Sequence, residues 1–368
     1  MAKMAKAAVL VAPGKFEIKE FPIPPIGDDE MLVKVEGCGV CGTDGHEYKR
    51  DPFGLCPVVL GHEGSGVIEV LGKNITHDSA GLPVKVGDRI VTCVIPCGQC
   101  SACQNTPART NLCEHCGVYG LFPDDDTHLN GYYAEYLKIR PNSTFFVVNG
   151  LTLDQRMLIE PAAVAVHAVE RAKTTGLLNF NTKVLVQGCG PIGLMVLAVL
   201  RTMGIDNIIA VDGNDNRLEL AGEMGATHPF NFTKYAKFED MLEEVKKDTD
   251  GLGAGFVFQC TGVPAAAANA WKMVRRGGGL CEVGFFLPSG TCTIDPHYDL
   301  CNKEVTAVGS WVYSPQDYPI AFAFLRRAAG IGLPMEKLVT HHIPLENIQE
   351  ALEVNVNMKG IKVAVVVE

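Results

Sequence analysis

Four cysteines fall in the pattern Cys97-x2-Cys100-x2-Cys103-x9-Cys113. Thiolates at such close gaps suit a tetrahedral Zn²⁺, and four of them close its shell to water and substrate. The expected role is therefore structural: the ion staples a loop that has no core of its own. Cys116 follows three residues after Cys113 and competes for the fourth place; Cys113 is the preferred ligand. A second group of chemically capable residues is scattered over three segments. They are Gly39-Val40-Cys41-Gly42-Thr43-Asp44-Gly45-His46, Gly61-His62-Glu63-Gly64 and Ile159-Glu160-Pro161. Each is ambiguous alone. A lone cysteine is commonly a small core residue, a lone histidine a satisfied polar group, and Glu160 an acid complementing a helix N-terminus.

A third motif is Gly188-Cys189-Gly190-Pro191-Ile192-Gly193, which reads G-x-G-x-x-G. It follows an apolar strand, Lys183 to Gln187, and opens an apolar helix, Ile192 to Met203, the context a dinucleotide site requires. Gly188 allows the tight turn, Gly190 lets the backbone approach a pyrophosphate, and Gly193 lets helix and strand pack closely. Pro191 and Ile192 lie in the first turn of the helix, whose free N–H groups and positive dipole end face the phosphates. Asp212 ends the next strand about 20 residues on, where an acid meets the adenosine ribose hydroxyls. A carboxylate there repels a 2′-phosphate, so NAD is favoured over NADP. Arg217, nearby, leaves some room for the phosphorylated cofactor.

The elements that must position these residues divide the chain in two. Up to about Leu158 the sequence is rich in Val, Gly and Pro in short runs such as Met31 to Val35 and Ser65 to Leu71, which predicts an irregular β-rich domain. From about Val164 strands and helices alternate: strand Asn207 to Asp212, helix Arg217 to Met224, then strands Gly255 to Cys260 and Gly279 to Gly284. That alternation predicts an α/β doubly wound parallel sheet. The tail carries a helix, Ile320 to Ala329, and a last strand, Ile361 to Val367. A sheet edge near Val283 to Phe286 is expected to be free to pair, and Asp124 to Asp126 to be a solvated acidic loop.

Composition limits the classes open to this chain. Its 368 residues, 47% of them hydrophobic and 20% charged, suit a globular protein of about two domains. The formal net charge of -10 argues against a nucleic-acid binder, which needs a basic face. No run reaches the ~20 apolar residues of a membrane span, and Met1 to Leu10 lacks the apolar core of a signal peptide. A cytoplasmic location is expected. The 14 cysteines then read as metal ligands or buried thiols rather than disulfides.

Taken in order, the cysteine lobe, the three scattered segments and the glycine motif resemble the zinc-dependent medium-chain alcohol dehydrogenase family over essentially the whole chain. Cys41-Gly42-Thr43-Asp44-x-His46 and Glu160-Pro161 resemble its sorbitol (polyol) and threonine dehydrogenase branch. The resemblance implies a GroES-like catalytic domain, residues 1–162 and 309–368, with the zinc lobe at about 93–116, and a Rossmann NAD domain, residues 163–308. It implies two Zn²⁺ per chain and NAD. The catalytic ion would sit on Cys41, His62 and Glu160, with one position open, since one thiolate, one imidazole and one carboxylate neutralise it as two thiolates and an imidazole do. Glu63 is similar to a family residue beside the metal that can approach it, although it could equally order the loop through a salt bridge. Thr43 is similar to the hydroxyl beside the reacting oxygen and His46 to the imidazole that passes the proton to solvent. The two lobe cysteines Cys103 and Cys113 are nine residues apart where the family has seven, which reads as a two-residue insertion at Asn105 to Arg109.

The implied reaction is hydride transfer from the secondary alcohol of a polyol, sugar or hydroxy amino acid to NAD, in a homo-oligomer of two or four chains. Specificity is expected from Tyr119 to His128, Phe285-Phe286 and Trp311 to Tyr313, which carry no cluster of cations and so disfavour a phosphorylated substrate. Two other readings stay open: an NADP(H)-linked zinc reductase of a carbonyl metabolite, and a non-catalytic zinc- and nucleotide-binding protein. The second would be expected to lack one of Cys41, His62 or Glu160, yet all three are present.

Overall fold

The structure, a computed structural model, describes residues 3–367; Met1, Ala2 and Glu368, and with them part of the expectation for the N-terminus, lie outside the described residues. The chain forms two compact units. The first comprises Met1–Glu160, Ser314–Pro319 and Leu338–Glu368. Its main sheet runs in the order Val339–Pro344, Lys362–Val366, Met31–Gly39, Glu63–Leu71, Arg89–Thr92 and Phe145–Val147, with Tyr136–Ile139 also paired to Met31–Gly39. The central strand Met31–Gly39 is antiparallel to both Lys362–Val366 and Glu63–Leu71. A second sheet joins Lys15–Pro22, Met4–Ala12 and Val58–Val59. Leu10, Met31, Val33, Leu60, Ile68, Tyr132 and Leu137 fill the core between these strands. Each such side chain removed from water stabilises the fold by about 1.5–3 kcal/mol, which holds the short strands together although their loops are long.

The second unit, Pro161–Tyr313 with Ile320–Lys337, contains a six-stranded sheet. Its order is His228–Asn231, Ile208–Asp212, Val184–Gln187, Ala254–Gln259, Val274–Glu282 and Thr306–Gly309, and every pairing is parallel. Strands covered on both faces must be apolar throughout. Val184–Gln187 and Ala254–Gln259 are buried at every residue. The strand order reverses direction about Val184–Gln187, the switch point at which open α/β sheets bind ligands outside the carboxyl ends of their strands. Residues 320–337 group with this unit rather than with the terminal segment: Arg327 in helix Asp317–Gly330 donates to the Thr202 carbonyl at 2.6 Å.

Two expectations are corrected here. Val283 to Phe286 is not a free sheet edge, because the strand ends at Glu282 and has parallel neighbours on both sides; the edges of that sheet are His228–Asn231 and Thr306–Gly309. The acidic loop is not merely solvated. Asp125 pairs with Arg140 at 2.8 Å and Asp124 with His128 at 2.5 Å, which ties the loop back to the β-rich unit. No helix among the described residues is long and apolar enough to cross a membrane.

Candidate active site

Cys41 stands immediately before helix Gly42–Arg50. The Asp44 carboxylate accepts from the Cys41 backbone N–H at 2.9 Å, so the acid three residues on pins the start of the helix and the direction of the thiol. His62 and Glu63 arrive on a separate segment, at the head of strand Glu63–Leu71. They follow Gly61, whose φ of +96° only glycine adopts easily, and whose missing Cβ leaves room for the Tyr133 ring. The fold thus brings Cys41 Sγ, a His62 ring nitrogen and a Glu63 oxygen within 4.8 Å of one another.

Behind the imidazole sits Asp44, fully buried, its Oδ1 3.5 Å from His62 Nδ1 while its Oδ2 accepts from Tyr133 Oη at 2.9 Å. Burial works against a charged His62, but the Asp44 carboxylate and the Cys41 thiolate outweigh it and raise its pKa well above that of a free imidazole. For Asp44 too, burial opposes the charge and His62 reverses the balance, drawing its pKa down. The arrangement fits a metal: a carboxylate 3.5 Å behind Nδ1 favours a proton on that nitrogen and leaves the other to a metal.

Glu160 does not join that group of three. It lies in the first turn of helix Ile159–Lys173, half-buried, near enough for its charge to act on Cys93 and Lys362. Glu63 is closer to Cys41 and His62 than the sequence suggested, and it is held in an ion pair. Lys362 Nζ donates to both of its oxygens at 2.6 Å and to the Val40 carbonyl at 3.2 Å. Both side chains are almost wholly buried, 3% and 1% exposed, so this pair is shielded from the water that weakens surface bridges. Gly39 lies opposite Glu63 in the strand register, and a Cβ there would overlap the Glu63 carboxylate. Lys362 and Asp44 are the functional positions the sequence reading passed over. Asp44 carried a signal, its three-residue spacing from Cys41. Lys362 carried none, because its partner is 299 residues away.

Thr43 is buried beside Cys41, its Oγ1 3.7 Å from Sγ. His46 is half-buried on the same helix, and Arg50 Nη2 approaches its Nδ1 at 3.4 Å. Burial and then the Arg50 charge lower the His46 pKa. A guanidinium can only donate, so neutral His46 accepts at Nδ1 and carries its proton on Nε2.

In the lobe, the Sγ atoms of Cys97, Cys100, Cys103 and Cys113 lie within 4.8 Å of one another, and Cys116 is not in the group. Two short helical turns, Ser101–Asn105 and Pro107–Leu112, carry the chain from Cys103 to Cys113. Backbone amides converge on the sulfurs: Cys97 N and His115 N donate to Cys113 at 3.2 and 3.4 Å, and Cys100 N to Cys97 at 3.4 Å. Donors aimed at thiolates are what a metal-bearing cysteine knot requires.

In the second unit, Gly188 turns with φ of +91°, and Gly190 precedes helix Pro191–Thr202 with Pro191 in its first turn. Asp212 accepts from Cys189 N at 2.7 Å and from Asn214 N at 2.9 Å, so its charge is anchored against the glycine turn. Arg217 flanks the same turn, its Nη1 4.0 Å from where a Gly190 Cβ would stand. Of the residues expected to set specificity, Tyr119 is instead a core residue, 1% exposed, with its hydroxyl 2.7 Å from Ser143 Oγ and accepting from Arg140 N at the same distance. Phe286 stacks on the partly exposed Trp311 with ring centroids 5.1 Å apart, while Tyr313 is buried.

Two family models match, the alcohol dehydrogenase GroES-like domain over residues 27–148 and the zinc-binding dehydrogenase over residues 191–327. Sorbitol dehydrogenase of Bacillus subtilis is 35% identical over 95% of this chain and 92% of its own length. The chain belongs to the zinc-dependent medium-chain dehydrogenases. L-threonine 3-dehydrogenase of Bacillus licheniformis is 32% identical, over 94% of each chain, which fits the sorbitol and threonine branch of the family. An alcohol dehydrogenase structure from Thermotoga maritima superposes with a TM-score of 0.91 at 29% identity, covering 100% of both chains. This medium-chain dehydrogenase accordingly joins a GroES-like domain to a Rossmann-type sheet and acts as a zinc-containing oxidoreductase on an alcohol.

Proposed function

We propose that this dehydrogenase uses NAD to oxidise the secondary alcohol of a polyol, sugar or hydroxy amino acid. Cys41, His62 and Glu160 would hold the catalytic zinc, and Cys97, Cys100, Cys103 and Cys113 a second, structural one. The observation that carries the reading is the meeting of Cys41 and His62 from separate segments, with Asp44 seated behind the imidazole. Bound there, zinc supplies Lewis-acid polarisation of the substrate oxygen.

The chain's own residues do the rest. Asp44 fixes the tautomer and orientation of His62. Thr43, buried beside the thiol, offers a hydroxyl that can accept a proton on one side and donate one on the other. His46, half-buried and with its pKa lowered by burial and Arg50, takes that proton at Nδ1 as the 3.4 Å Arg50 contact yields, and releases the Nε2 proton to water. The anchored Asp212 charge meets the ribose hydroxyls of NAD and repels a 2′-phosphate. The 14 cysteines, five of them proposed zinc ligands, fit a reducing, cytoplasmic setting. The outer strand Thr306–Gly309, with three of its four residues exposed, supports a homo-oligomer.

The test is a reduction screen of the zinc-replete protein with NAD or NADP against polyols, aldoses, hydroxy amino acids and simple alcohols. Turnover with NAD, poor turnover with NADP, and loss of both turnover and one zinc in Glu160→Ala are expected. Turnover confined to NADP, or normal activity in Glu160→Ala, would overturn the cofactor or the ligand assignment respectively.

A further inference from the structure

We propose that Tyr133 is a positioning residue of the metal site: its hydroxyl holds one oxygen of Asp44, so that the other stays turned to the His62 imidazole. The inference rests on the Cys41 and His62 part of the zinc-site reading above and extends it to a side chain outside the ligand set.

The torsion that turns a carboxylate is broad, so hydrogen bonds must set it. Around Asp44 they are unequal. Its Oδ2 accepts from the Cys41 backbone N–H and from Tyr133 Oη, each at 2.9 Å. Its Oδ1 has no hydrogen-bond partner among the described residues and faces His62 Nδ1 at 3.5 Å. The Cys41 amide comes from the same turn of chain as Asp44, whereas the tyrosine arrives from 89 residues away. Two donors from different directions on one oxygen fix the plane of the carboxylate, and with it the direction of Oδ1.

The hydroxyl has no packing role that the ring does not already fill. Tyr133 is wholly buried, and a phenylalanine would occupy the same space. A buried hydroxyl costs free energy unless it is hydrogen-bonded, and its partner here is Asp44. Burial, and then the Asp44 charge, raise the phenol's pKa well above its ordinary value, so it stays a neutral donor. Its frame is rigid. The Tyr133 N–H donates to the Leu60 carbonyl at 3.0 Å, and its own carbonyl accepts from Ala8 N at 2.8 Å. The ring packs on Gly61, the residue before His62, where a Cβ would stand 2.8 Å from it. A side chain locked in this way can orient another.

Tyr133→Phe tests this, because it removes the hydroxyl and keeps the ring. The protein is loaded with Co²⁺ in place of zinc, and its visible spectrum and rate of metal loss to a chelator are recorded. Cys41→Ser identifies the part of both signals that belongs to this site. In Tyr133→Phe that part of the spectrum should shift, and metal loss from the site should quicken by about tenfold. Tyr132 is equally buried but its hydroxyl makes no hydrogen bond to Asp44, so Tyr132→Phe should match the parent. A cycle with Asp44→Ala separates orientation from packing: in that background Tyr133→Phe should change metal loss by under about twofold. The same tenfold effect there, an equal effect of Tyr132→Phe, or a parent-like spectrum and rate in folded, metal-loaded Tyr133→Phe would overturn the proposal. If Tyr133→Phe does not fold, 3-fluorotyrosine placed at position 133 gives a second reading. Its fluorine resonance should move when the site takes up zinc and stay in place at saturating zinc in Asp44→Ala; a resonance that ignores zinc in the parent, or moves equally in both, would overturn the proposal as well. If Cys41→Ser in the parent loses no metal, the zinc-site reading itself fails, and that outcome is separate from any effect of Tyr133.

Discussion

The three glycines of the dinucleotide turn are expected to fail in different ways when replaced by alanine, because the structure gives each a different neighbour. A Cβ at Gly193 would overlap the Gly188 carbonyl oxygen, a backbone atom that cannot swing aside. Forcing a methyl into such a contact costs roughly 1–3 kcal/mol. At about 2–4 °C per kcal/mol for a domain of this size, the unfolding temperature should fall by about 2–12 °C. Gly190 is the opposite case. Its φ and ψ, -71° and -176°, are open to any residue, and the nearest neighbour of its Cβ is Arg217 Nη1 at 4.0 Å. Gly190→Ala should therefore melt within about 1 °C of the parent while losing dinucleotide affinity by about tenfold to a hundredfold, roughly 1.4–3 kcal/mol, because the methyl stands where the pyrophosphate must come close. Gly188→Ala should do both, since φ is +91° and the Cβ would also meet the Thr261 methyl. Thermal melts and calorimetric titration with NAD read the two effects separately. Parent-like affinity in Gly190→Ala would refute the close-approach argument, and a parent-like melt in Gly193→Ala would refute the packing argument.

Cys100→Ser should lower the zinc content from two ions per chain to one and lower the melting temperature, read by elemental analysis and calorimetry; a parent with one zinc that the substitution leaves in place would remove the structural site. His46 has a pKa lowered by burial and Arg50, so the acid limb of the kcat/KM profile should lie below the ~6.5 of a free imidazole, activity falling as pH drops through it. Arg50→Gln should move that limb upward, and an unmoved limb would take His46 out of the proton path. Glu47 is fully buried, and burial followed by the neighbouring Asp51 raises its pKa from 4.5 to about 7. A raised acid stabilises the fold below its unfolded pKa and loses that contribution as pH rises through the folded one. Glu47→Gln should accordingly raise stability by on the order of 2 kcal/mol near pH 8 and hardly at all near pH 5. Equal melting shifts at both pH values would show that the Glu47 charge is not the cause.

Whatever is written locally could be read from residue order alone. Period and punctuation gave the alternating strands and helices of the second unit, and their observed bounds shift by only a few residues, Ile208–Asp212 for the strand carrying Asp212 and Asp215–Glu223 for the helix after it. The lobe cysteines and the glycine turn were legible for the same reason, since close spacing forces their donors and amides together. Tertiary structure alone decided what depends on segments far apart in the chain. It placed Asp44 behind His62 and under Tyr133, 89 residues on, and made Tyr119 a core residue rather than a specificity residue. It sealed Glu63 against Lys362 across 299 residues. An ion pair of that kind leaves no trace in periodicity or spacing: a lysine near the C-terminus reads as a solvated surface charge until the β-sheet register sets its ammonium beside a buried carboxylate.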